Sequence, residues 1–281
     1  MPRANIEVRP ITPVIGATIH GVDLSQELDD ATFGDIRQAL LDHLVIVMPG
    51  QKITPAQQLA FARRFGDVEP PHPVFDVVKE QPEITVIEQD GTRASLYNDV
   101  WHTDVTFRAT PALASILYAR ELPKTGGDTL WSSLYAAYDA LSQPVRDMIE
   151  DMTATHDYYN AFGEAVLNGR GGVDKLAEDV RKFPPMEHPV VRTHPDTGRK
   201  GLFVNRSFTH RIKGLSWVES RHILEMLYEH AEHPNFQFRH TWQVDDLAMW
   251  DNRCTMHLAA SDFIGHRLMH RITVLGDRPY H

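Results

Sequence analysis

The chain has 281 residues, 42% of them hydrophobic, enough to bury a substantial core, and one large domain over 1–281 is the preferred reading. A formal charge of -10 speaks against a nucleic acid or an anionic membrane as partner, since either usually demands a basic surface. The single cysteine, Cys254, rules out an internal disulfide and points to the reducing cytoplasm, and neither a signal peptide nor a bilayer-spanning apolar run is visible.

In chain order, Asp29 or Asp30 can cap a helix whose Phe33, Ile36 and Leu40 share one side, and Leu44 to Met48 reads as a buried strand closed by Pro49-Gly50. Thr54-Pro55 opens a second helix, expected to run through Phe65 until Gly66 stops it. A proline-rich loop containing His72 leads to a strand over Ile84 to Ile87. Next comes Trp101-His102-Thr103-Asp104-Val105-Thr106-Phe107, whose β-branched and aromatic residues predict a strand with His102 and Asp104 on one face. Strands at 113–118 and 129–131 follow, then helices at 133–141 and 144–152. The polar stretch from about Gly163 to Lys182 is expected as a mobile insertion over the site. Ser216 and Glu219 make a capping box for a helix, and strands are expected at 236–242, 247–250 and 267–275. Many short strands with irregular helices imply a closed or double-sheet β architecture.

An imidazole and a carboxylate two residues apart, joined by one distant histidine, form the facial triad of non-haem Fe(II) sites. The bare pattern is weak: with 16 histidines, about one His-x-Asp is expected by chance. A second copy, His194-Pro195-Asp196, lies in a Pro- and Gly-containing turn and reads as a hairpin tip. On the last strand, Arg267 and Arg271 face one way, and two guanidinium groups on an inner face call for anions. On an outer face they would pair with acidic residues instead. His257 is a candidate third ligand, although alone it reads as an ordinary buried histidine.

The segments 101–107, Thr125-Gly126-Gly127-Asp128-Thr129-Leu130-Trp131, Trp250-Asp251-Asn252-Arg253 through His257, and Met269-His270-Arg271 closely resemble the taurine-catabolism family of Fe(II)/2-oxoglutarate dioxygenases. The likeness extends from about Ile11 to Asp277. It implies a mainly β fold with flanking helices (α+β) around a double-stranded β-helix, or jelly roll. It also implies Fe(II) on His102, Asp104 and His257, with O2 and 2-oxoglutarate as cosubstrates. The resemblance assigns the distal carboxylate of 2-oxoglutarate to Arg267 and Thr129, and the substrate sulfonate to His72, Arg271 and the backbone N–H of Val105. Asn98, Phe162 and Phe208 match the remaining pocket wall, to which Phe75 also belongs. The reaction implied is hydroxylation of taurine at the sulfonate-bearing carbon, giving sulfite, aminoacetaldehyde, succinate and CO2 in a cytoplasmic homodimer or homotetramer.

Two positions depart from the family pattern near the substrate amine: Phe75 stands for a tyrosine and Ala161 for a serine. One residue is also missing between His257 and Arg267. Another short alkylsulfonate is therefore the alternative substrate. Two further classes stay open on the residues alone, a zinc hydrolase or lyase using the same ligands and a non-catalytic β-barrel binding protein.

Overall fold

The computed structural model describes residues 6–71, 76–90, 100–168 and 172–281. The first described element is a hairpin, β1 (Glu7–Pro10) against β2 (Ala17–His20), followed by helix α1 (Asp30–His43). Asp29 caps α1 by accepting from the Thr32 amide, and Leu44 turns the chain at φ 66 into the wholly buried strand β3 (Val45–Met48). Helix α2 (Pro55–Arg63) opens with a reciprocal capping box between Thr54 and Gln57. It ends short of Phe65, because the amides of Arg64 and Phe65 take tighter bonds to Phe61 and Ala62.

Beyond α2 lie β4 (Val77–Val78), β5 (Gln81–Gln89), β6 (Ala112–Glu121) and β7 (Thr129–Ser133), then α3 (Leu134–Ala140), α4 (Gln143–Ile149) and β8 (Thr153–His156). Helices α5 (Tyr158–Asn168) and α6 (Gly172–Lys182) precede β9 (Met186–Pro189) and the hairpin β10 (Val191–Thr193) with β11 (Lys200–Leu202). The rest comprises β12 (Thr209–Ile212), α7 (Trp217–Ala231), β13 (Gln237–His240), β14 (Leu247–Asp251), β15 (Thr255–Ala259) and β16 (Arg267–Leu275).

The large sheet has the order β1-β2-β3-β14-β6-β16-β5-β4, and a small sheet has the order β13-β7-β15. Strand alternation gives the large sheet two apolar faces. Ile46, Ile116, Met249 and Ile272 pack outward in one core with Ile36 of α1 and Leu59 of α2. Their neighbours Val47, Leu117, Trp250 and Met269 point inward and meet Trp131 and Phe238 of the small sheet. Burying the inward side chains at about 1.5–3 kcal/mol each fixes the strand register. Arg267 and Arg271 share the inward parity of Met269. A third core joins α3 and α7 to the short strands between them.

Three expectations change. Residues 101–107 are not a strand: only His102 makes a bridge, to His257, and 104–107 form a turn. The stretch expected as an insertion at 163–182 is helical on both sides of residues 169–171, as the end of α5 and the whole of α6. Strands β8 and β15 are additional, and β15 carries His257. No described helix is long and apolar enough to cross a membrane.

Candidate active site

His102 and His257 are tied to each other through their backbones, each amide donating to the other's carbonyl at 3.0 and 2.7 Å. This bridge lays the two rings side by side, with centroids 4.2 Å apart. Asp104, brought round by the turn, places Oδ1 3.7 Å from His102 Nε2 and 3.9 Å from His257 Nε2. Ligand atoms of all three lie within 4.8 Å of one another. Both separations are too long for hydrogen bonds, so three lone-pair-bearing atoms face a common space, as they would around a cation.

The protonation states suit that role. His102 Nδ1 lies 2.8 Å from the Val100 carbonyl, which only accepts, so Nδ1 carries the hydrogen and Nε2 keeps its lone pair. Burial, reinforced by His102, pushes His257 down to about 3, which keeps its ring neutral. Burial works to raise the Asp104 carboxyl, but His257, Arg271 and His102 beside it, with the Ser115 hydroxyl, hold it below the ordinary carboxylate range. The buried Nδ1 of His257 has no hydrogen-bond partner among the described residues. The donor set of two imidazoles and one carboxylate thus fits a divalent iron ion, and His102, Asp104 and His257 could hold it.

The sequence reading missed what holds Asp104. Ser115 Oγ donates to Asp104 Oδ2 at 2.6 Å, Asn252 Nδ2 donates to Ser115 Oγ at 2.9 Å, and Trp250 Nε1 donates to Asn252 Oδ1 at 3.0 Å. One lone pair of the carboxylate is fixed by this chain, which leaves Oδ1 toward the imidazoles. The available signal was Ser115 itself, a hydroxyl at an inward position between apolar neighbours of β6.

The two arginines differ. Arg267 is 3% exposed, and no carboxylate pairs with it among the described residues. Its Nε donates to the Gly127 carbonyl at 3.2 Å, while the nearby Asp128 carboxylate is taken by Arg239 at 2.6 Å. Burial lowers Arg267 to about 10, against the pull of Asp128, so it remains a cation in search of an anion. Gly127 leaves the space that this side chain uses: a Cβ there would lie 3.2 Å from Arg267 Cδ. Thr129 begins β7 two residues later, and its Oγ1 accepts from Trp242 Nε1 at 3.0 Å, leaving the hydroxyl hydrogen as its donor. Arg271, farther along β16 on the same face, places Nη1 3.8 Å from Asp104 Oδ1.

Val105, Phe162 and Phe208 lie together, packed with Phe107, Tyr158 and Ala161 in one apolar cluster beside the turn. His72, Phe75 and Asn98 lie outside the described residues.

Fold and side chains together define a class, the mononuclear non-haem iron oxygenases with a two-histidine, one-carboxylate set. Residues 7–273 match the taurine catabolism dioxygenase TauD, TfdA family, and the chain belongs to it. A sulfate ester dioxygenase of Pseudomonas putida is 36% identical over 98% of this chain and 91% of its own. A 2,4-dichlorophenoxyacetate dioxygenase of Cupriavidus pinatubonensis is 33% identical over 97% of this chain and 99% of its own. The crystal structure of a taurine dioxygenase from Burkholderia xenovorans superposes with a TM-score of 0.84 at 37% identity, covering 98% of this chain and 91% of that one. This chain is therefore a dioxygenase dependent on Fe(II), 2-oxoglutarate and O2.

Proposed function

We infer that the enzyme hydroxylates the carbon bearing the sulfo group of a short organosulfonate, with taurine as the first candidate. The observation that carries this reading is one wall bearing two guanidinium groups of different situation: Arg267, buried without a carboxylate, and Arg271, 3.8 Å from the Asp104 carboxylate. Arg267 with Thr129 would take the distal carboxylate of 2-oxoglutarate, and Arg271, His72 and the Val105 N–H the sulfonate. His102, Asp104 and His257 would hold the iron, which, with O2 and 2-oxoglutarate, supplies the C–H oxidation and releases succinate and CO2. The hydroxylated carbon then expels sulfite, leaving aminoacetaldehyde when taurine is the substrate. The chain's contribution is placement, with the anion pinned so that one C–H faces the metal. The two facing sheets are the double-stranded β-helix of this reading, in a single domain, with a homo-oligomer in the cytoplasm as its setting.

A second reading, oxidation of an alkyl sulfate ester, is favoured by the apolar cluster. Ala161 packs there with Phe107, Tyr158 and Phe208, so the wall they form would offer hydrocarbon where an ammonium group needs polar partners. Succinate formation measured with taurine, butanesulfonate, hexyl sulfate and phenoxyacetate tests both. Sulfite from taurine supports the first reading, and sulfate from hexyl sulfate with no turnover of taurine replaces it by the second. Turnover of phenoxyacetate alone would refute both.

A further inference from the structure

The turn that carries Asp104 is gripped from two sides. On one side Ser115 holds the Asp104 carboxylate. On the other, three side chains from β8, β9 and the segment before β12 converge on Thr106. His156 Nδ1 lies 2.9 Å from Thr106 Oγ1, and Asn205 Nδ2 donates to the same oxygen at 3.2 Å. His188 Nε2 donates to the carbonyls of Thr106 and Arg108 at 2.9 and 3.0 Å. All four side chains are buried. Asn205 also reaches the pocket wall, where its Oδ1 accepts from the Phe208 amide at 3.0 Å.

Between the two grips sits Val105 at φ 51, a left-handed conformation that β-branched residues rarely hold. Such a conformation persists only where the surroundings over-determine it, and it concentrates at functional sites. The grip on Thr106 is also more polar than packing requires. His156 Nε2 and His188 Nδ1 are buried without hydrogen-bond partners among the described residues. A core serving stability alone would be better filled with apolar groups.

We propose that Thr106, His156, His188 and Asn205 are positioning residues that keep Val105 left-handed and so set the affinity for the sulfo group, acting through the Val105 amide without touching substrate. This rests on the reading of that amide as an anion donor. It divides the turn into two separately held halves: Ser115 keeps the metal ligand in place, and the Thr106 clamp keeps the anion donor in place.

The test uses Thr106→Val, which keeps the shape and removes the hydroxyl, and Thr106→Ser, which restores it, with taurine, butanesulfonate and hexyl sulfate as probes in the full-length enzyme. For whichever probe the wild type oxidises, Thr106→Val should raise KM about tenfold, the equivalent of one lost buried hydrogen bond, with kcat and the KM for 2-oxoglutarate changed less than about twofold. Mn(II) affinity of the metal-free protein, read by electron paramagnetic resonance, should stay within about twofold, because Ser115 still holds Asp104. Thr106→Ser should recover the wild-type KM. An unchanged KM in Thr106→Val overturns the inference, and so does a fall in Mn(II) affinity that matches the rise in KM. If Thr106→Val does not fold, Asn205→Ala is judged by the same split. If the wild type oxidises none of these probes, the sulfo reading fails and this inference fails with it.

Discussion

Two His-x-Asp tripeptides fold to opposite ends. At 102–104 the turn sends both side chains into one space, where Asp104 Oδ1 and the two Nε2 atoms are separated by 3.7 and 3.9 Å and are bonded to nothing between them. At 194–196 every potential ligand atom is already engaged. His194 Nδ1 accepts from the amides of Asp196 and Thr197, so Nε2 carries the hydrogen and donates to Asp251 Oδ2 at 3.0 Å. Asp196 pairs with Arg37 at 2.6 Å and Arg253 at 2.7 Å. His194, Asp251 and Cys254 even bring ligand atoms within 4.8 Å, as the active-site set does. Yet Asp251 is saturated by Arg253, through Nε at 2.9 Å and Nη2 at 2.7 Å, and burial pushes the Cys254 thiol well above its ordinary range. Proximity of donors does not make a metal site. Unspent lone pairs do, and only the first copy has them.

The sharpest way to break this comparison is Asp104→Ala. It removes the only anionic donor of the set, and both Mn(II) binding and succinate formation should be lost. Retained binding would deny the site. Arg267→Ala comes next and should weaken 2-oxoglutarate by about 2–5 kcal/mol, read as its KM and as binding to the metal-loaded protein, because it empties a buried cationic site. An unchanged KM for 2-oxoglutarate would reassign that arginine.

The second copy predicts a stability effect instead. Burial works to raise the Asp251 carboxyl, but Arg253 and His194 outweigh it and hold the group below the ordinary carboxylate range. Its folded value is depressed, so it contributes stability that is present above the unfolded value near pH 4 and is lost as pH falls through the folded one. His194→Ala should cost about 1–3 kcal/mol in urea unfolding at pH 7 by removing one of the two donors to the buried Asp251 Oδ2, Arg253 Nη2 being the other. Mn(II) affinity should not move, and a parallel loss of metal would make the network part of the site. Asp251→Asn should flatten the acid limb of stability between about pH 4 and 2.

How much of this could be read from residues alone varies with the distance over which the contacts form. The ligand set His102, Asp104 and His257 was visible through the spacing of two and the family likeness, but for a partly wrong reason. The composition of 101–107 favours a strand, whereas the backbone turns through Val105 because Thr106 is clamped by residues 50 to 99 positions away. The helices were legible where caps are local, as at Asp29, Thr54 and Ser216. Strand β15 was hidden because Thr255–Ala259 is too short to show a period, and its pairing with β7 is long-range. The role of His194 was hidden too: as a turn residue it was read correctly, but its partner Asp251 lies 57 residues on.

Ser115→Ala sharpens the first copy without removing a ligand. Losing the 2.6 Å bond to Asp104 Oδ2 should lower Mn(II) affinity about tenfold, with little change in folding. No loss of affinity would mean that the turn alone holds the carboxylate.

The smallest effect belongs to Asp196→Ala, and it tests the comparison from the other side. Asp196 is the residue that corresponds in the motif to the iron-ligand candidate Asp104, yet its carboxylate is 28% exposed and bridges the exposed Arg37 to the buried Arg253. Solvent screening limits the exposed Arg37 pair to about 0.5–1 kcal/mol. Arg253 keeps Asp251 when Asp196 is gone, so the buried part of the network survives. A fall in melting temperature of a few degrees at most is expected, roughly 2–4 °C per kcal/mol for a chain of this size, with turnover and Mn(II) affinity at the wild-type level. A variant that lost metal would show the two copies to be coupled through Asp251 and Asn252, which are adjacent in sequence, and the distinction between spent and unspent donors would no longer suffice.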